Sequence, residues 1–277
     1  MEENLTFFKE SENLQEIIRE NFADAEVIGK ISTGWTNIVL EFISNGIAYI
    51  ARFPRNQLFS TVIERDVVAN HFLRKEINLK TTNMTVYYDK KFNRPYSIHE
   101  KIKGYSLTER LPYLTTDKSK KIAENIAIFF NTIHHIDINK IPNVLKTRLS
   151  DFIVDIANVD DNYYNYEDSD LLKKDEEKEL VFVHGDLNIG NILLDDNDDI
   201  VAFIDFAFTS LSERCCDLSR ISCRVSPEFL KNILTTYEKI SNYKIDYEKI
   251  NKRNKMWNYV EEQYIIYMKN TFPEIKV

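Results

Sequence analysis

Residues 181–206 read VFVHGDLNIGNILLDDNDDIVAFIDF, and this stretch decides how the rest of the chain is read. An apolar run, Val181 to Val183, leads into His184-Gly185-Asp186; Asn191 follows five residues after Asp186, and a second apolar run ends in Asp205. The pattern predicts short strands at 181–183 and 192–194, a polar turn over 195–199 and a return strand at 200–204. A loop between strands can present Asp186 to a substrate while the hairpin holds Asn191 and Asp205 beside it. Carboxylate and amide oxygens suit Mg²⁺, a hard cation usually shared with phosphates. A carboxylate next to a bound phosphate can accept the proton of an attacking hydroxyl.

His184, Asp186 and Asn191 have the H-x-D-x-x-x-x-N spacing of a kinase catalytic loop, and Asp205 follows where the metal-binding aspartate would stand. Upstream, Val27 to Phe42 reads VIGKISTGWTNIVLEF, a strand–turn–strand that could cover a nucleotide's phosphates with Gly34 in the turn. Asn45-Gly46 predicts a tight hairpin turn into the strand 47–53. Alternation puts Ala48, Ile50 and Arg52 on one face of that strand, so Arg52 points into the space that Ile50 roofs. A helix follows over 60–75, in which Glu64 could pair with Arg52; Asp66 is the competing partner. Strands at 84–88 and 96–102 complete a five-stranded sheet, with a crossing point to a second lobe near residues 97–101.

Beyond that point the chain reads as helical. Ile122, Ala123, Ile126, Phe129, Phe130 and Ile133 form an apolar stripe over 118–136, which ends in His134-His135. Adjacent histidines face different directions, so a structural role at the helix end is favoured over a metal site. Further helices are predicted over 227–241 and 247–270.

Composition bounds the function. A chain of 277 residues can build two cored lobes. A net charge of −8 disfavours non-specific nucleic-acid binding and favours a cationic small-molecule partner. Cys215, Cys216 and Cys223 form no C-x-x-C pair, as in a chain from a reducing compartment. The polar, acidic start MEENLTFFKESEN is unlike a signal peptide, and no apolar run approaches membrane-spanning length. A cytoplasmic monomer is the expectation.

Taken together, YIARFPR (49–55), YSIHEKIKGYSLTERL (96–111), FFNTIHHI (129–136), VHGDLNIGNILL (183–194), VAFIDFAF (201–208) and CDLSRI (216–221) resemble the aminoglycoside phosphotransferase family of small-molecule kinases. The nearest flavour is that of the 2″-aminoglycoside and macrolide kinases. The resemblance implies an α+β, protein-kinase-like bilobal fold. Residues 1–98 would be the nucleotide-binding lobe and 99–277 the catalytic and acceptor-binding lobe. It implies ATP or GTP as co-substrate, Mg²⁺ as cofactor and a small-molecule acceptor. By position, Asp186 would be the catalytic base, and Asn191 and Asp205 the metal ligands. His184 and Asp217 would support the loop. Arg52 would stand for the phosphate-binding lysine with Glu64 as its partner. Gly34, Ile50, Ser97, His99 and Glu100 would line the nucleotide.

Two departures narrow the class. Arg stands at 52 in place of Lys, which keeps the charge but changes its shape. Ala207 follows Phe206 where protein kinases carry a glycine, and no A-P-E segment comes after it. Ala207 and the missing A-P-E segment disfavour a protein substrate, while Arg52 is the feature that favours a pseudokinase. Acidic residues that could meet a cationic acceptor are Glu167, Asp168, Asp170, Glu238, and Glu261 and Glu262 beside Trp257. Choline, ethanolamine or macrolide kinases are the rival acceptor readings, and a nucleotide-binding pseudokinase is the rival of another class.

Overall fold

The computed structural model describes residues 7–9, 11–31, 36–77, 80–147, 180–222 and 225–271. After a short helix α1 (Leu14–Arg19), five strands form one antiparallel sheet in the order β1-β2-β3-β5-β4. They are β1 (Glu26–Ile31), β2 (Asn37–Ser44), β3 (Ile47–Pro54), β4 (Thr85–Tyr88) and β5 (Pro95–Glu100). Asn45 and Gly46 both take positive φ, 49° and 76°, as a two-residue hairpin turn of the primed type requires. Asp24 clasps that turn, accepting from the Ser44 hydroxyl at 2.5 Å and the Asn45 N–H at 2.7 Å.

One face of the sheet is closed by an aromatic core that holds Phe8, Phe42, Phe53 and Tyr96, with Phe53 stacked on Tyr96 at 4.9 Å between ring centres. The opposite face, carrying Ile50, Arg52 and Ser97, is thereby left for the helix that follows β3. Helix α2 (Gln57–Glu76) packs against β3, β4 and β5. It starts three residues before the predicted position because Asn56 caps it, accepting from Phe59 N–H at 2.8 Å. Its Ala69 and Leu73 belong to the core of the second part of the chain, so α2 bridges the two.

The chain leaves the sheet after Glu100. Strand β6 (Tyr105–Ser106) pairs with β8 (Ile192–Leu194), which pairs with β9 (Ile200–Phe203); β7 (Val181–Val183) pairs with β10 (Ser210–Ser212). Helix α3 (Leu107–Arg110) opens with a capping box between Ser106 and Glu109. Helix α4 (Thr116–His134) runs slightly earlier than its apolar stripe suggests, since Thr115 caps it. Helices α5 (Arg214–Ser222), α6 (Pro227–Ser241) and α7 (Tyr247–Thr271) complete the described chain. The predicted stripe of α4 is buried and packs against α6 and β7. Phe130 is fully buried there, and its truncation to Ala would cost about 3–5 kcal/mol. No helix among the described residues is long and apolar enough to cross a membrane.

Candidate active site

The loop after β7 is held from below by one carboxylate. Asp217 of α5 is fully buried and accepts from the backbone N–H of His184 at 3.0 Å, from that of Gly185 at 2.8 Å, and from His134 Nε2 at 3.0 Å. His134 Nδ1 in turn accepts from the Tyr237 hydroxyl at 2.7 Å, while Arg214 donates to that hydroxyl at 3.0 Å. Gly185 has a φ of +81°, and a Cβ there would lie 2.3 Å from the Phe208 carbonyl oxygen, so only glycine fits this bend. His184 ties the loop to the return strand: its Nε2 donates to Ile204 O at 3.2 Å, and its Nδ1 accepts from Asp186 N–H at 3.3 Å. Burial lowers the pKa of both His134 and His184, which suits the neutral tautomers these bonds need.

Asn191 ends a turn of 3-10 helix and is fixed on two sides. Its side-chain N–H₂ donates to the Asp186 carbonyl at 3.0 Å, and its own carbonyl accepts from Ile204 N–H at 3.0 Å. That leaves its Oδ1 as the natural ligand for a hard cation. Asp205 follows with a φ of +67°, a left-handed conformation uncommon outside glycine and asparagine. Among the described residues no group of three or more His, Cys, Asp or Glu could hold a metal ion. One carboxylate and one amide are a donor set that would suit Mg²⁺, a hard cation commonly bound through one or two protein oxygens together with substrate phosphates.

Arg52 stands between the two halves of the site. It donates to Asp66 at 2.6 Å and to Asp205 at 3.3 Å. The partner expected at Glu64 is therefore corrected to Asp66: Glu64 is solvent-exposed, and a 3.5 Å contact from the Tyr88 hydroxyl reaches its carboxylate. The reason is the rotation of α2. Asp66 lies at i+4 from Val62 and three residues before Ala69, on the buried stripe, whereas Glu64 falls on the wet side. That periodicity is a signal the sequence does contain. Asp66 also accepts from the Phe206 backbone N–H and from Asn70, at 2.9 and 2.8 Å. Burial pushes the Asp66 pKa up to about 6, against the pull of Arg52. For Arg52, burial acts to lower the pKa, but Asp205 and Asp66 outweigh it and hold it above the usual value.

Ser97 and His99 face Arg52 and Ile50 across the β3–β5 pairing, and Glu100 faces Tyr49. Ser97 is buried with its hydroxyl unpartnered, and burial lowers the His99 pKa to about 4. Glu100 is exposed. Gly34, Glu167, Asp168, Asp170 and the side chain of Glu261 lie outside the described residues. Glu238 accepts from Ile245 N–H at 2.9 Å and so braces the α6–α7 connection. Glu262 is exposed, and Trp257 is buried beneath Arg220, whose guanidinium carbon is 5.3 Å from its ring centre. Sequence reasoning misses Arg220, which donates from Nε to Asp186 Oδ1 at 2.6 Å. A one-turn offset from Asp217 on α5 is the only sequence sign of it.

The five-stranded sheet with one bridging helix, followed by a mainly helical part that carries the paired acids, is a kinase-like phosphotransferase architecture. Similar folds are seen in the GDP and kanamycin complex of APH(2″)-IIIa (TM-score 0.69, 15% identity, 94% of this chain and 97% of that one). Macrolide 2′-phosphotransferase type I gives a TM-score of 0.67 at 15% identity over 96% and 98% of the two chains. The macrolide 2′-phosphotransferase MphH of Brachybacterium faecium gives 0.60 at 14% identity over 93% and 92%. No curated protein sequence matches the chain. The sequence profile of the phosphotransferase enzyme family, APH, matches residues 27–250, and the chain belongs to that family. It is a small-molecule phosphotransferase.

Proposed function

We propose that this protein transfers the γ-phosphoryl group of ATP or GTP to a hydroxyl of a small molecule, foremost an aminoglycoside-type antibiotic. The observation that carries this reading is the assembly of Asp186, Asn191 and Asp205 on one hairpin, with the Arg52–Asp66 pair brought against Asp205 at 3.3 Å. Structures of similar fold hold GDP with kanamycin and ATP with streptomycin, which supports both the nucleotide and the acceptor class. The macrolide kinases of similar fold favour a macrolide as the second acceptor.

In this reading residues 1–98 carry the nucleotide. Arg52 neutralises phosphate charge while Asp66 keeps it in place, and β5 lines the base through Ser97, His99 and Glu100. Asn191 and Asp205 would hold Mg²⁺, which supplies charge neutralisation at the phosphates when bound. Asp186 accepts the proton of the acceptor hydroxyl as its oxygen attacks the γ-phosphorus and the nucleoside diphosphate departs. Positioning and electrostatics supply most of the rate.

The test is a coupled nucleotide-turnover screen of the purified protein with Mg²⁺ over aminoglycosides, macrolides and choline-like alcohols, run with ATP and with GTP. Turnover with an aminoglycoside that is lost in Asp186→Ala supports the proposal. Binding of neither nucleotide in calorimetry would sink it.

A further inference from the structure

Helix α5 grips the catalytic loop twice. Asp217 holds the backbone N–H groups of His184 and Gly185, and Arg220, one turn later on the same helix, holds the side chain of the next residue, Asp186. A spacing of three residues sets Asp217 and Arg220 on one helical face, so two successive parts of the loop are fixed by one rigid element. Arg220 is itself confined. Its side chain is 11% exposed, and its guanidinium lies over the ring of Trp257, which is buried on α7. Asn254, one turn before Trp257, donates to Ser222 Oγ at 2.7 Å and pins α7 to the end of α5. The guanidinium is therefore placed by packing before any ligand arrives.

We infer that Arg220 is a positioning residue for Asp186: it occupies Oδ1 and leaves Oδ2 as the oxygen presented to the acceptor hydroxyl. This rests on the kinase reading above, in which Asp186 takes that proton. A carboxylate free to rotate would offer either oxygen at varying angles. One clamped through Nε at 2.6 Å offers a single oxygen in a fixed direction. Trp257 contributes through Arg220 by holding the guanidinium over its ring.

The experiment compares wild type, Arg220→Ala, Arg220→Lys, Trp257→Phe and Asp186→Ala, using the acceptor that turns over with the wild type. In Arg220→Ala, kcat should fall about 10- to 100-fold while nucleotide KM changes less than about twofold, because Arg220 acts through Asp186, the group that meets the acceptor hydroxyl. Added guanidinium at non-denaturing concentration should restore part of kcat in Arg220→Ala and none in Asp186→Ala. Trp257→Phe should lower kcat less than Arg220→Ala does. Arg220→Lys, which keeps the charge without the planar fork, should fall between wild type and Arg220→Ala and serves if Arg220→Ala does not fold. An Arg220→Ala enzyme with wild-type kcat overturns the inference and leaves the kinase reading intact. A loss that guanidinium does not relieve, accompanied by lowered thermal stability in Arg220→Lys, makes Arg220 structural only and also overturns it. A wild type without turnover on any acceptor removes the parent reading instead.

Discussion

Arg52 and Asp66 meet at 2.6 Å, a long cationic arm from β3 against a short anionic arm from α2. A lysine–glutamate pair would span the same gap with the lengths exchanged. The planar fork adds something a lysine lacks, since its second nitrogen reaches Asp205 at 3.3 Å.

The length match gives the first prediction. Arg52→Lys falls short of Asp66, and Asp66→Glu crowds Arg52. Each alone should weaken ATP or GTP binding about tenfold, roughly 1.4 kcal/mol. The double variant Arg52→Lys/Asp66→Glu should bind more tightly than either single one. Calorimetry with Mg²⁺ present checks this, and strictly additive losses would mean that the pair is not a length-matched unit.

A second prediction concerns pH. Burial raises the Asp66 pKa from 3.8 to about 6, so the folded protein holds this proton more tightly than the unfolded chain does. The cost of ionising Asp66 therefore builds up as pH rises from about 4 to about 6, and is constant above that. Relative to Asp66→Asn, the wild type should lose stability across that window. Nucleotide binding runs the other way: below about pH 6 a protonated Asp66 releases Arg52, and affinity should drop. Asp66→Asn should bind weakly and lack this acid-side transition in a titration of Kd against pH.

Gly185 supplies a third. Alanine there must hold a φ near +81° with its Cβ 2.3 Å from a backbone oxygen, and no flexible side chain can give way. Gly185→Ala should therefore displace the loop, lowering kcat about 100-fold and stability by about 1–3 kcal/mol. Steady-state rates and a denaturation midpoint measure the two effects.

The fourth concerns Asp217. Its removal in Asp217→Ala strands the His184 and Gly185 N–H groups, both buried, at about 1–3 kcal/mol each. A destabilisation of about 2–5 kcal/mol is expected by chemical denaturation. His134→Leu should cost less than Asp217→Ala, because it leaves both backbone bonds to the loop in place.

What could be read from residues alone was what lies close in the chain. The stretch 181–206 encloses its own hairpin, so strand alternation and turn chemistry place Asp186, Asn191 and Asp205 together without reference to anything else. The Asn45-Gly46 turn likewise sets the face of β3 on which Arg52 stands. Contacts over longer separations depend on how elements rotate and dock, and there the sequence was ambiguous or silent. Glu64 and Asp66 are two residues apart on one helix; the packing of α2 on the sheet decides that Asp66 meets Arg52. His134 reaches Asp217 only because α4 and α5 converge under the loop. Arg220 lies 34 positions beyond Asp186 and Trp257 a further helix away, and no local pattern couples them. A hydrogen bond of 2.6 Å is a relation between docked surfaces, so only the tertiary structure could bring the clamp and the base together.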